Sequence, residues 1–222
     1  MSDVVKGFLT VLVMIVLATG ATLLLNLAAG GLVSWPVAIL VGALFGLAYG
    51  LEAGILLSYN LGSPKGWLEM VIDMTWSLPN TIWGFLIGNI IFPIFGNPSR
   101  AESRDAGWIV YMPRSASSTL GNRVLQTHGT LNIGGAGQHE KMHLLQARIF
   151  GPLFLPIYAA NYVVNFVLQG LWTITVGLVL WKMGVRDTPY FRPIGTSVAQ
   201  GFFGWIYYAT IFEFWAYSTG NP

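Results

Sequence analysis

Residues 8–29 form a run in which only Asn26, three threonines and Gly20 interrupt apolar side chains. About 20 apolar residues wound into a helix match the roughly 30 Å hydrocarbon thickness of a bilayer. The run therefore predicts a first transmembrane helix. It also restricts the chain to folds whose backbone hydrogen bonds close within helices or barrels. Lys6 and the small residues Ala18, Gly20 and Ala21 give it some likeness to a secretion signal, but it is longer than the 7–15 residues or so of an ordinary signal core and reads as an uncleaved anchor.

The rest of the chain agrees with a lipid solvent. Of 222 residues 54% are hydrophobic and 9% charged, with a mean hydropathy of +0.61, whereas soluble domains carry about a quarter charged residues. The formal charge of +2 is spread along the sequence without a basic run, which excludes nucleic acid as a partner. There is no cysteine, so disulfides, thiolate metal sites and cysteine catalysis are excluded together.

A second span is expected from about Val37 to Ser58. It carries Gly42, Gly46, Gly50 and Gly54 at four-residue spacing, a stripe of missing side chains that admits a neighbouring helix, including one from another membrane subunit. Glu52, off that stripe, reads as a carboxylate snorkelling to the interface. A third hydrophobic segment opens at Trp67 and ends near Phe95. Glu69 and Asp73 on its first turns read as interfacial carboxylates facing water, with a cluster of Glu52, Glu69 and Asp73 as the alternative; Pro79 marks a break, and Thr81 to Phe95 is the expected span. From Gly96 to Gln138 the composition turns polar. Short strands are expected at Trp108 to Met112, Asn122 to Gln126 and Gly129 to Ile133, the last two closing a hairpin through Thr127-His128-Gly129.

Directly after this hairpin comes Gln138-His139-Glu140-Lys141-Met142-His143-Leu144-Leu145-Gln146. Residues four apart share one face of a helix, so His139 and His143 can offer two imidazole nitrogens to one metal ion, with Glu140 beside them to hold a water. With three histidines in the whole chain, the pattern arises by chance in on the order of one in a thousand such sequences. Gln146 falls on the same face. The helix is expected to stop or bend at Gly151-Pro152, and a hairpin beside it offers an edge strand that can align an extended peptide. The span Ile157 to Trp181 then repeats Asn161, Asn165 and Gln169 at i, i+4 and i+8, a stripe expected to hydrogen-bond between helices. After a loop with Lys182, Arg186 and Arg192, Ser197 to Tyr217 forms a final aromatic-rich helix. Within it Glu213 lies among Ile211, Phe212, Phe214 and Trp215, where a carboxylate requires a cation, a metal or water.

The pattern His139-Glu140-x-x-His143-x-x-Gln146, followed on a later helix by Glu213-x-x-Ala216 within Phe212 to Tyr217, resembles the gluzincin group of zinc metallopeptidases, and in particular small bacterial membrane members. The match covers residues 120–150 and 211–217. The resemblance implies a Zn2+ cofactor held by His139, His143 and Glu213, with Glu140 as general base. Zinc would activate water for attack on a peptide or membrane-protein substrate. His128, Tyr111, Tyr208 and Tyr217 are candidate second electrophilic donors.

The expected fold is an all-α polytopic membrane protein of about five transmembrane helices with a small α+β extramembrane insertion containing the β-hairpin and the motif helix. Residues 1–95 and 151–222 form its N- and C-terminal membrane parts and residues 96–150 the insertion. Lys6, Lys65, Lys182, Arg186 and Arg192 fall on one face of this topology, which makes that face cytoplasmic and places the insertion on the periplasmic side of a bacterial inner membrane. The competing function is a catalytically inactive accessory subunit of a larger membrane complex. A second alternative is a di-iron carboxylate site, since Glu140-x-x-His143 is also the Glu-x-x-His pattern of ferritin-like bundles, but that design needs a second Glu-x-x-His and the sequence has none.

Overall fold

The computed structural model describes residues 1–90, 96–113, 124–127, 130–133, 138–184 and 198–219. They fall into two compact units, Met1–Phe154 and Leu155–Pro222. In the first, α1 (Asp3–Ala28) and α2 (Trp35–Leu56) are followed by α3 (Pro64–Met74), α4 (Leu78–Ile90), β1 (Gly96–Pro98), α5 (Arg100–Ser103), β2 (Ile109–Pro113), β3 (Val124–Thr127), β4 (Thr130–Ile133) and α6 (Gln138–Phe150), the motif helix. A 3-10 turn at Gly151–Leu153 precedes α7 (Phe154–Trp172), and α8 (Leu178–Lys182), α9 (Val198–Tyr208) and α10 (Ile211–Thr219) complete the second unit. Three helical stretches among the described residues are long and apolar enough to cross a membrane: Asp3–Ala28, Trp35–Leu56 and Lys141–Leu180.

Helices α1 and α2 pack as a hairpin along the glycine stripe. A Cβ placed on Gly46 would lie 2.6 Å from the Met14 carbonyl oxygen, and one on Gly54 would lie 2.7 Å from that of Gly7. Only glycine permits this approach, which is how helices gain dispersion contact in a solvent as apolar as their side chains. The neighbour expected at the stripe is thus supplied by the chain itself. Asn26 closes the turn, its amide donating to the Val33 carbonyl and accepting from the Val33 N–H, both at 3.0 Å. Away from the seam, Val4, Phe8, Val16, Leu24, Leu40 and Ile55 are more than half exposed. Such a surface is costly in water and costs nothing in lipid.

The third segment differs from expectation. It is two helices of 11 and 13 residues, about 17 and 20 Å long at 1.5 Å per residue and each short of the hydrocarbon thickness. Pro79 lies in the first turn of α4, directly after the break at residues 75–77, where its missing N–H costs nothing. Residues 91–95, the expected end of this span, lie outside the described residues. Among the described residues three helical stretches, not five, have spanning length and apolarity.

The insertion folds into a four-stranded antiparallel sheet in the order β1-β2-β3-β4. The expected hairpin is present: β3 pairs with β4 from Val124↔Ile133 to Thr127↔Thr130. Strand β1, three residues pairing Gly96↔Pro113 to Pro98↔Tyr111, was not expected. Alternate residues of β2 face opposite ways. Ile109 and Tyr111 enter the core with Met14, Tyr49, Met70 and Met74, while Trp108 and Val110 pack with Leu144 of the motif helix.

The position of the insertion also departs from expectation. Its Arg104 forks onto Asp3, with Nη1–Oδ2 at 2.9 Å and Nη2–Oδ1 at 2.8 Å, and Arg100 reaches the same carboxylate at 3.1 Å. The Asp105 and Gly107 N–H groups donate to the Leu57 and Ser58 carbonyls at 2.9 and 2.7 Å. Residues 96–113 therefore sit at the end of the hairpin where the chain enters α1 and leaves α2. The insertion shares its side with Lys6 and Lys65 rather than lying opposite them.

In the second unit the asparagine stripe binds between helices, as its spacing implied. Asn161 Oδ1 accepts from the Ile211 N–H at 2.6 Å, and the Asn165 amide donates to the Ile206 carbonyl at 3.3 Å. The final apolar stretch is two helices rather than one. Asn161 supplies an acceptor to the first N–H of α10, which the interrupted helix leaves without an intrahelical partner.

Candidate metal centre

The motif helix inverts the polarity of an ordinary surface helix. His139, His143 and Gln146, at i, i+4 and i+7, are buried, whereas Leu145 and Ile149 are 45% and 50% exposed. A helix that turns imidazoles inward and leucine outward is stable where the outside is apolar and the inside offers polar partners. Its Leu144 and Ala147 are buried as well, and Leu144 packs on Trp108 and Val110.

The two imidazoles converge. His139 Nε2 and His143 Nε2 are 3.1 Å apart, and the rings meet edge to face, with centroids 4.7 Å apart and an interplanar angle of 88°. Two nitrogens on a tetrahedral zinc, each about 2.0–2.1 Å from the ion, are separated by about 3.3 Å. A shift of a few tenths of an ångström therefore takes the pair as it stands to the spacing of two ligands on one ion. On the far side of His143, Nδ1 lies 2.9 Å from Gln146 Oε1. Two imidazole nitrogens so placed could share one metal ion.

The residues that hold this helix in place are ones sequence reasoning missed. Arg148 is 9% exposed and forks onto Asp73, Nε–Oδ1 and Nη2–Oδ2 both at 2.8 Å. It also donates to Glu69 Oε1 at 2.9 Å and to the Gly107 carbonyl at 2.8 Å. Tyr59 donates to Asp73 Oδ2 at 2.8 Å, and the Tyr49 hydroxyl lies 3.2 Å from that of Tyr59. Burial and then the Asp73 charge hold the Tyr59 phenol well above its ordinary range, so it remains a donor. Asp73 is fully buried and Glu69 is largely so. The water-facing reading of these carboxylates is thus corrected: an arginine five residues beyond His143 meets them inside the protein.

The carbonyls at the end of the motif helix are capped from α4 and the turn between α3 and α4. Ser77 Oγ donates to the Ala147 carbonyl at 3.0 Å, the Asn80 amide to the Gly151 carbonyl at 2.6 Å, and Trp76 Nε1 to the Ile149 carbonyl at 3.2 Å. The expected bend is at Gly151, with φ of +53°. A Cβ there would lie 2.3 Å from the Trp76 indole, so only glycine satisfies both backbone and packing. Gly107, at φ +77°, is constrained similarly by Glu69 and Arg148.

Glu52 is not snorkelling. Its carboxylate accepts from the Tyr111 hydroxyl at 2.8 Å and from the Asn89 amide at 3.0 Å. Burial and then the Glu52 charge push the Tyr111 phenol up, so it stays a donor committed to Glu52, which removes it from the candidate electrophiles. Glu140 lies in the motif helix beside His139, but its side chain, like His128, is outside the described residues. In the second unit Glu213 occupies the first turn of α10 and is 2% exposed. It accepts a short hydrogen bond from the Tyr158 hydroxyl, whose ring stacks on Phe212 with centroids 5.7 Å apart. Tyr208 and Tyr217 pack on each other in the same unit. No family model, curated protein or solved structure matches the chain.

Proposed function

We infer that this protein is an integral membrane zinc metallopeptidase whose ion is held by His139, His143 and Glu213. The carrying observation is the buried pair of imidazole Nε2 atoms 3.1 Å apart on a helix with the His-Glu-x-x-His pattern. The assignment of Glu213 rests on the resemblance of residues 211–217 to the gluzincin ligand helix. A zinc ion so held supplies Lewis acidity, lowering the pKa of a water toward about 7 and polarising a peptide carbonyl. Glu140 accepts the proton of the attacking water and returns it to the leaving amine. His139 and His143 fix the site on a helix clamped at its far end by Arg148, Ser77 and Asn80. Strand β4, at the edge of the described sheet, offers backbone groups to an extended peptide or membrane-protein segment.

The test is metal content. Detergent-purified protein is expected to carry about one zinc per chain, and His143→Ala to carry none, since two remaining protein ligands do not hold zinc against the solvent. A parent protein free of metal after reconstitution with zinc would defeat the reading.

The basic residues of the first unit support a working side. Lys6, Lys65, Arg100 and Arg104 belong to one end of the α1–α2 hairpin, and an excess of Lys and Arg near span ends marks the cytoplasmic face. The insertion and the start of the motif helix are therefore cytoplasmic. Reporter fusions at the N-terminus and at residue 105 are expected to report the same, cytoplasmic, compartment; opposite compartments would reject this topology.

A further inference from the structure

The sequence places Gln146 on the metal face of the motif helix, where it could serve as a ligand, a substrate contact or nothing more than a buried amide. The structure gives it a narrower role. Gln146 is fully buried, and its Oε1 lies 2.9 Å from Nδ1 of His143, not on the side where His143 and His139 converge. A carbonyl oxygen can only accept a hydrogen bond, so the proton of neutral His143 is drawn to Nδ1 and the lone pair is left on Nε2. Nε2 is the atom that faces His139. One helical turn thus fixes both the ring orientation and the tautomer that metal binding requires.

We propose that Gln146 is a positioning residue that keeps the proton of His143 on Nδ1 and so holds Nε2 as the metal-binding nitrogen. This rests on the zinc reading for its purpose but not for its geometry. The i, i+3 spacing is what makes the contact possible, because side chains three apart in a helix stand one above the other. Most metal-binding histidines receive this second hydrogen bond from a carboxylate or a backbone carbonyl elsewhere in the fold. Here the same helix supplies it from a neutral amide, which adds no charge to the buried site. The carbonyl of Ala147, next to Gln146, accepts hydrogen bonds from both Ser77 and Asn80, which holds the backbone that carries the amide.

Two readouts test it. The first uses metal-free parent protein with 15N-labelled histidine, of which the chain has three. Long-range 15N–1H spectra should show His143 in the Nδ1–H tautomer, and Gln146→Met, similar in size but without an acceptor, should shift it toward a mixture. His143 found as the Nε2–H tautomer in the parent overturns the proposal whether or not zinc binds. The second is zinc affinity by competition with a chelator. Gln146→Met is expected to bind about 10- to 100-fold more weakly, the usual cost of losing such a partner, while Gln146→Glu, which keeps the acceptor, stays within about threefold of the parent or binds more tightly. A purely packing role predicts the reverse order, with Met tolerated and Glu not. Gln146→Met with parental affinity overturns the proposal. If Gln146→Met does not fold, the Gln146→Glu affinity and the parental tautomer still decide. A parent that never binds zinc refutes the metallopeptidase reading and leaves the tautomer measurement to judge Gln146 alone.

Discussion

Arg148→Ala is expected to destabilise the protein by about 3–5 kcal/mol, the cost of stripping one partner from a buried ion pair. The guanidinium makes two hydrogen bonds to Asp73, one to Glu69 and one to the Gly107 carbonyl, and Asp73 has no solvent exposure. Once the cation is gone, the Asp73 carboxylate must either stay buried with only Tyr59 and neutral donors or take up a proton, and both alternatives cost free energy. Against a typical total of about 5–15 kcal/mol, the loss is enough to populate unfolded protein. Arg148→Lys should fall between parent and alanine, because an ammonium keeps the charge but cannot fork onto both carboxylate oxygens. Denaturant or thermal unfolding of detergent-purified protein measures this. In an Asp73→Asn background the further cost of Arg148→Ala should shrink, since the charge that it strands is no longer there. An unchanged unfolding midpoint for Arg148→Ala would show that the network contributes only geometry.

That network also shows where reading the sequence stops. The spans α1 and α2 were legible because lipid imposes a length and a polarity on each helix separately, and the glycine stripe because missing side chains at every fourth residue have one main use. Glu69 and Asp73 were not, because two acids four apart look the same on a water-facing helix as on one whose counterion comes from a residue 75 positions away. The same distance hid the caps on the motif helix. Ser77 and Asn80 bond its last carbonyls, and such bonds leave no periodicity to find. The hairpin was legible from its turn and its alternation, whereas β1, three residues ending in proline, carries no strand signal. The position of the insertion beside Asp3 was not legible, because counting apolar spans says nothing of which ion pairs form. The ion pairs from Arg100 and Arg104 to Asp3 bring the chain back to where it began. At the site, the spacing of His139 and His143 was enough to foresee their convergence, but not the part of Gln146, since the face alone does not say which atom the amide addresses.

Glu140→Gln is expected to lower peptide cleavage by about 100-fold or more while leaving zinc content unchanged. General-base catalysis by a positioned carboxylate is worth about 10²–10⁴ in rate, and each tenfold loss corresponds to about 1.36 kcal/mol at the transition state. The amide of glutamine is nearly the same size and can still hydrogen-bond a water, but it cannot accept a proton, so the substitution removes one chemical step and little else. Metal content separates the roles within the motif. Glu140 lies beside His139, one position from the face that His139 shares with His143, and its loss takes no ligand away. On the proposed ligand set His143→Ala is expected to abolish binding and Glu213→Gln to weaken it, since a neutral amide is a poorer zinc ligand than a carboxylate. KM should change little in Glu140→Gln, because the group acts on the transition state rather than on bound substrate. The measurement pairs zinc stoichiometry with cleavage of a peptide library by parent and variant in the same detergent. A Glu140→Gln protein that loses its zinc would reassign Glu140 as a ligand. Full activity in that variant would remove the carboxylate from the reaction, and a parent that binds zinc but cleaves no peptide would assign the metal to holding the fold of a membrane subunit.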